Sequence, residues 1–134
     1  MAVVLDSDAV VGFLDRNDAL HASADAAIRD LVDRERLLVS AVTYAEVLTG
    51  ARLGHHDEQQ VKGFFNDLIS DVLPVDVKVA DVAADLRSNR KSLQMQDALI
   101  LATAEAQPEV GLVMTGDSEA TKVPGLTCKV QLLR

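Results

Sequence analysis

Apolar residues fall into two kinds of run along this chain: short unbroken ones, and longer ones spaced every three or four positions. Val3-Val4-Leu5 is unbroken and stops at Asp6-Ser7-Asp8. Leu37-Leu38-Val39 stops at Ser40, and Gly111-Leu112-Val113-Met114-Thr115 stops at Gly116-Asp117. Runs this short, apolar on consecutive positions, fit strands buried on both faces. Val72–Val75 contains Pro74 and fits a short edge strand or an extended connector, since proline has no amide to give a ladder. Thr127–Leu132 alternates and reads as a last strand.

Between these runs the spacing is helical. A short helix capped by Ser7 or Asp8 extends to about Arg16 and breaks at Asn17-Asp18. Leu20, Ala24, Ala27, Ile28 and Leu31 mark a second helix over Ala19–Glu35. Tyr44, Val47, Leu48 and Ala51 mark a third that ends near Gly54, and Val61, Phe64, Phe65, Leu68 and Ile69 mark a fourth. Asp76 caps a fifth, which carries Val79, Val82, Ala83 and Leu86 and ends in the basic run Arg87, Arg90, Lys91. After a turn over Ser92–Gln96, Asp97 opens Ala98–Ala104, a segment apolar on nearly every side and therefore a buried helix. Pro108 stops it. Strands alternating with helices predict a parallel sheet flanked by helices through right-handed crossovers. The expectation is one α/β domain over residues 1–134, three layers deep (α/β/α), around a mostly parallel sheet of about five short strands.

Composition narrows this picture. Hydrophobic content of 49% excludes disorder, and one cysteine, Cys128, excludes a disulfide framework or a thiolate metal site within one chain. No apolar run resembles a signal peptide or reaches the roughly 20 residues of a membrane span, so a cytoplasmic protein without membrane contact is expected. The net charge of −8 argues against general binding of phosphate backbones. It suits a hard-cation site, a basic partner, or plain solubility.

The acids at the element junctions carry the candidate chemistry. Asp6 and Asp117 each follow a strand, Glu46 lies early in the helix after the second strand, and Asp97 opens the buried helix. In a parallel sheet the carboxyl ends of strands and the first turns of following helices share one edge. Asp6, Glu46 and Asp117 can meet there, and Asp97 joins them if its helix starts at the same edge. Each acid also has an ordinary use when taken singly: Asp8 as a cap, Asp97 beside a helix dipole, Glu46 on a solvated face, Asp117 in a turn. Converged carboxylates repel one another unless a cation sits among them, and oxygen ligands without His or Cys select Mg²⁺ or Mn²⁺. Such a site suits phosphodiester hydrolysis by metal-activated water.

Four segments bear on this in order: Leu5-Asp6-Ser7-Asp8-Ala9-Val10-Val11, Ala45-Glu46-Val47-Leu48-Thr49-Gly50-Ala51, Asp97 through Ala104, and Val113-Met114-Thr115-Gly116-Asp117. Together they resemble the motifs of PIN-domain ribonucleases, and among these the toxin (VapC-type) half of bacterial type II toxin–antitoxin pairs. The resemblance covers essentially the whole chain. It implies a PIN-like fold and an Mg²⁺- or Mn²⁺-dependent endoribonuclease acting on RNA. It implies Asp6 and Asp97 as principal metal ligands, with Glu46 and Asp117 completing the acidic pocket. Ser7 and Thr115 match positions whose hydroxyls hold those acids. A homodimer is implied, as is a small cognate antitoxin that covers the pocket. Two positions depart from the family pattern: Ser118-Glu119-Ala120 offers no aromatic after Asp117, and Ser7 stands where threonine is more usual.

Two rivals stay open. Asp6-Ser7-Asp8-Ala9-Val10 also fits the opening motif of haloacid-dehalogenase-type phosphatases, although the further acid expected near Ala120–Thr121 is missing. A non-catalytic module could use an acidic pocket to receive basic side chains. For RNA contact, Arg87, Arg90 and Lys91 are candidates, with Arg52 and Lys122 behind them. His55 and His56 read as loop residues, and Cys128 as a small core residue.

Overall fold

The two kinds of apolar run resolve into five strands and six α-helices in a computed structural model that describes residues 1–134. The strands are β1 (Ala2–Leu5), β2 (Arg36–Ser40), β3 (Asp71–Leu73), β4 (Val110–Thr115) and β5 (Lys129–Leu132). They form one sheet in the order β3-β2-β1-β4-β5, and every neighbouring pair is parallel. The helices are α1 (Ser7–Leu14), α2 (His21–Leu31), α3 (Ala41–Arg52), α4 (Glu58–Asp67), α5 (Val77–Asn89) and α6 (Met95–Glu105). A short 3₁₀ turn, Ala120–Lys122, lies between β4 and β5. This is the expected three-layer arrangement, with the sheet wholly parallel. No helix is long and apolar enough to cross a membrane.

β1 sits at the centre and shows why the layers form. All four of its residues are buried, and their side chains alternate between two cores. Ala2 and Val4 join the core that holds Leu86 of α5 and Leu101 of α6. Val3 and Leu5 join the core that holds Val10, Ile28, Val47 and Phe64 from α1–α4. A strand covered on both faces has no polar side, so its sequence is an unbroken apolar run. Each fully buried Val or Leu contributes roughly 1.5–3 kcal/mol of hydrophobic stabilisation.

From β1 the chain runs outward through β2 to β3, with α1–α4 on one face. It then crosses to β4 on the other side of β1, with α5 and α6 on the opposite face. Reversing direction while keeping right-handed crossovers requires that change of face. The reversal falls between β1 and β4. A crevice outside the carboxyl ends of two such strands is where sheets of this kind bind ligands.

Several local features differ from the sequence reading. Neither Ser7 nor Asp8 caps α1; the cap is Asp6, whose side chain accepts the Ala9 amide, and Ser7 and Asp8 are the first helical residues. The second helix is shorter than Ala19–Glu35, because Asp18 closes a turn onto the Leu20 amide before it and residues 32–35 turn towards β2. β3 stops before Pro74 and is an edge strand, as the missing amide demands. β5 begins at Lys129, because Thr127 and Cys128 give their amides to the Glu105 carboxylate instead of to the ladder.

Candidate active site

Asp6 is where β1 ends and α1 begins. Its Oδ1 accepts the Ala9 N–H at 2.9 Å, and its Oδ2 accepts the Thr115 hydroxyl. The residue is 5% exposed. Ile100, Leu101, Val113 and Ala120 line an apolar gap against Asp6 and Asp97. Burial pushes the Asp6 carboxyl from its ordinary 3.8 up to about 7; the hydrogen bonds from Thr115 and Ala9 oppose the rise, and the charges of Asp8 and Asp97 add to it.

Thr115 ties the first acid to the fourth. Its hydroxyl donates to Asp6, and the same oxygen accepts the Asp117 amide at 2.9 Å. Asp117 in turn accepts the Glu119 amide on Oδ1 at 3.0 Å. Glu46 is held by a parallel device. Ser7 Oγ donates to Glu46 Oε1 at 2.7 Å, and the buried Thr43 hydroxyl lies 3.3 Å from Ser7 Oγ. α3, which carries Glu46, is capped by Ser40 at the Val42 amide. A buried hydrogen bond of 3.1 Å joins Ser40 to Thr103 of α6, so the helices bearing Glu46 and Asp97 are fastened through their backs.

Asp97 lies in the first turn of α6, which does begin at the carboxyl edge of the sheet. Partial burial raises its carboxyl to about 6, helped by the Asp117 charge, a hydrogen bond with the Asp117 carboxyl, and the charges of Asp8 and Glu46. Asp8, read from sequence only as a cap, faces the same space. Burial raises its carboxyl, and Asp117, Asp18 and Glu46 raise it further. The cleft measures about 390 Å³ and none of its eleven lining residues is hydrophobic. Six are carboxylates: Asp6, Asp8, Glu46, Asp97, Asp117 and Glu119. The sequence reading had four of them. The Asp-x-Asp spacing at Asp6 and Asp8 was the available signal for the fifth.

Gly116 permits the close approach of α1 to the Asp117 loop. A Cβ there would stand 2.6 Å from Leu20 Cδ1 and 2.8 Å from Asp8 Cβ. The leucine tip can move aside; Asp8 Cβ is fixed to its helix. Gly116→Ala is therefore expected to push Asp8 and Asp117 apart, costing ~1–3 kcal/mol in chemical denaturation and weakening Mn²⁺ binding measured by calorimetry.

No basic residue lines the cleft itself. Arg87 gives its Nε proton to the Leu93 carbonyl at 2.7 Å, which fixes the α5–α6 loop. Arg90 pairs with Glu119 at the cleft rim, and Lys122 lies 3.6 Å from the same carboxylate. Arg52 pairs with Glu58. Lys91 is exposed and makes no ion pair. His55 and His56 sit beyond α3, away from the cleft. Cys128 is buried; burial and the neighbouring Glu105 push its thiol up to about 12, so it is an inert core residue.

The chemistry of the donor set fits a hard divalent cation. Every charged group lining the cleft is a carboxylate, although no three His, Cys, Asp or Glu side chains stand close enough together to hold one ion between them. An open ring of oxygens suits Mg²⁺ or Mn²⁺, because Mg²⁺ gives up its waters reluctantly and is held by one or two carboxylates. Asp6 and Asp97 carry the most clearly raised carboxyls of the ring and so gain most from an adjacent positive charge.

Known proteins share this fold. Residues 3–126 match the PIN domain family. Among solved structures, the chain is similar to one from VapBC2 of Rickettsia felis bound to a promoter DNA fragment, with 15% identity, TM-score 0.78 and full coverage of both chains. It is also similar to a chain of FitAB bound to a DNA fragment, with 21% identity and TM-score 0.73 over 97% of this chain and 94% of that one. A third is VapC20 of Mycobacterium tuberculosis, described as a Sarcin-Ricin loop cleaving toxin, with 13% identity and TM-score 0.70 over 96% of this chain and 99% of that one. Among curated proteins the sequence has no match.

Proposed function

The chain belongs to the PIN-domain family, and from that premise we propose that it is the toxin of a type II toxin–antitoxin pair and a divalent-metal-dependent endoribonuclease. The observation that carries the proposal is Asp6. It is a buried carboxyl held near 7, facing Asp97, Asp117, Glu46 and Asp8 in a cleft with no hydrophobic lining. A structural cap needs no such crowd, and the crowd is unfavourable without a cation.

In this reading Asp6 and Asp97 hold Mg²⁺ or Mn²⁺, and Glu46 and Asp117 complete the ring. A bound ion would polarise the phosphodiester and lower the pKa of an attacking water. The chain's own part is geometric. Thr115 and the Ala9 amide aim the two oxygens of Asp6, and Ser7 aims Glu46. No nucleophilic side chain is required. Of the three basic candidates only Lys91 has an uncommitted side chain with which to meet RNA; Arg87 and Arg90 do so only by leaving their present partners. The reading treats residues 1–134 as one PIN-like domain, cytoplasmic and homodimeric. Its small antitoxin presents a basic group to the acidic cleft. Similarity to a chain from a toxin–antitoxin complex of Klebsiella pneumoniae (22% identity, TM-score 0.72, 90% of each chain covered) supports the partner, and the cleft's charge supports its sign.

The test is cleavage of total cellular RNA by purified, antitoxin-free protein in Mg²⁺ or Mn²⁺, with an EDTA control. Discrete fragments that vanish with EDTA are expected. Folded protein that leaves all RNA intact in both metals would overturn the enzymatic reading and favour a binding module.

A further inference from the structure

The first turn of α6 carries Asp97 to the cleft and the loop after β4 carries Asp117, and their carboxylates repel once both are ionised. Something must hold the two together. Glu119 is built for that task. Its Oε2 accepts Arg90 Nε at 3.0 Å, Arg90 Nη2 at 2.8 Å and Ser92 Oγ at 2.6 Å. Lys122 Nζ lies 3.6 Å from Oε1. Three donors on one oxygen, two from a single guanidinium, give a directed charge-assisted contact. Arg90 and Ser92 belong to the α5–α6 loop, which Arg87 stiffens through the Leu93 carbonyl and which leads directly into Asp97. On the other side, the backbone amide of Glu119 itself donates to Asp117 Oδ1. Ala120 is buried in the core beside it and anchors the segment from below. One residue thus grips the loop before Asp97 with its side chain and Asp117 with its main chain.

We propose that Glu119, clamped by Arg90 and Ser92, is a positioning residue that fixes Asp117 opposite Asp97. The proposal rests on the nuclease reading of the cleft. It gives Arg90 a role other than binding RNA, and it accounts for a segment after Asp117 that has no aromatic to pack.

Arg90→Met removes the charge, keeps the stem and leaves every cleft-lining side chain in place; Ser92→Ala, at a lining residue, is a milder companion. The first readout needs no activity. In metal-free protein, amide hydrogen exchange by NMR is expected to quicken at least tenfold at Glu119 in Arg90→Met, with β1 amides unchanged. The second readout is kinetic, on an RNA that wild type cleaves. Arg90→Met should lower kcat about tenfold with KM and its salt dependence unchanged, Arg90→Lys should restore most of the loss, and in an Asp117→Asn background Arg90→Met should add nothing. Unchanged exchange at Glu119 overturns the clamp. So does a raised KM with a shallower salt dependence, which would assign Arg90 to phosphate contact. If wild type cleaves no RNA, the nuclease reading fails while the exchange measurement still decides whether the clamp exists.

Discussion

Asp6→Asn is expected to abolish RNA cleavage and, in the same protein, to raise stability in the absence of metal. The two effects have opposite signs because Asp6 does two things. As the α1 cap it needs an acceptor for the Ala9 amide, which asparagine supplies as well as aspartate does, and the Thr115 hydroxyl, now facing the asparagine NH2, can turn to accept from it. As the proposed metal ligand it needs a negative charge, which asparagine lacks. Altering groups that merely support a metal ligand typically costs 10–100-fold, so loss of the ligand itself should cost roughly 10²-fold or more in cleavage rate. Against this, the ionised carboxyl is held against an apolar floor. Displacement of its pKa from 3.8 to about 7 corresponds to at most ~4 kcal/mol of strain in the charged form at pH 8. Relief of part of it should raise the melting temperature of metal-free protein by several degrees. A variant that is both inactive and less stable would show that Asp6 serves mainly as a cap.

The second large effect is an inverted pH dependence. Asp6 and Asp97 titrate higher in the folded protein than in the unfolded chain, to about 7 and about 6. Between pH 4 and 7 the folded state therefore binds more protons, and stability falls as pH rises through that window. Metal-free protein should melt higher at pH 5 than at pH 8, contrary to the usual loss of stability in acid. On the proposed function a divalent ion should reverse the order, since it would bind the ionised carboxylates and be expelled by protons. With Mn²⁺ at ~100 times its Kd, linkage gives about 2.7 kcal/mol, or roughly 10 °C at pH 8, and little at pH 5. Thermal melts over pH 5–8, with and without Mn²⁺, check both halves. Melting curves that rise from pH 5 to pH 8 without metal would contradict the buried, crowded cleft.

Much of this was legible in the sequence, for identifiable reasons. β1, β2 and β4 were visible because a strand covered on both faces has no polar side to interrupt it. α6 was visible because a helix buried all round is apolar all round. The convergence of Asp6, Glu46 and Asp117 followed from parallel topology alone; Asp97 depended on the edge at which α6 starts. Other features were hidden by the same physics. Asp6-Ser7-Asp8 offers three capping residues in a row, and only the backbone shows that the first is the cap and the third faces the cleft. The bond from Arg90 to Glu119 spans 29 positions with no periodicity to announce it. Arg87, Arg90 and Lys91 formed one basic cluster in sequence, yet each does something different, because an arginine near a carbonyl or carboxylate is committed to it.

The hydrogen bond from Thr115 to Asp6 joins residues 109 positions apart, and it has a consequence in time. Synthesis delivers β1 early and β4 almost last. Until β4 is made, the inner strand of the finished sheet has an open edge, and Asp6 has neither the hydroxyl that aims it nor the fourth acid opposite. Even with α1–α4 packed over β1–β3, a nascent chain would own no cleft, because Asp97 and Asp117 are still to come. On the nuclease reading, an incomplete chain has no assembled acidic ring with which to cleave RNA.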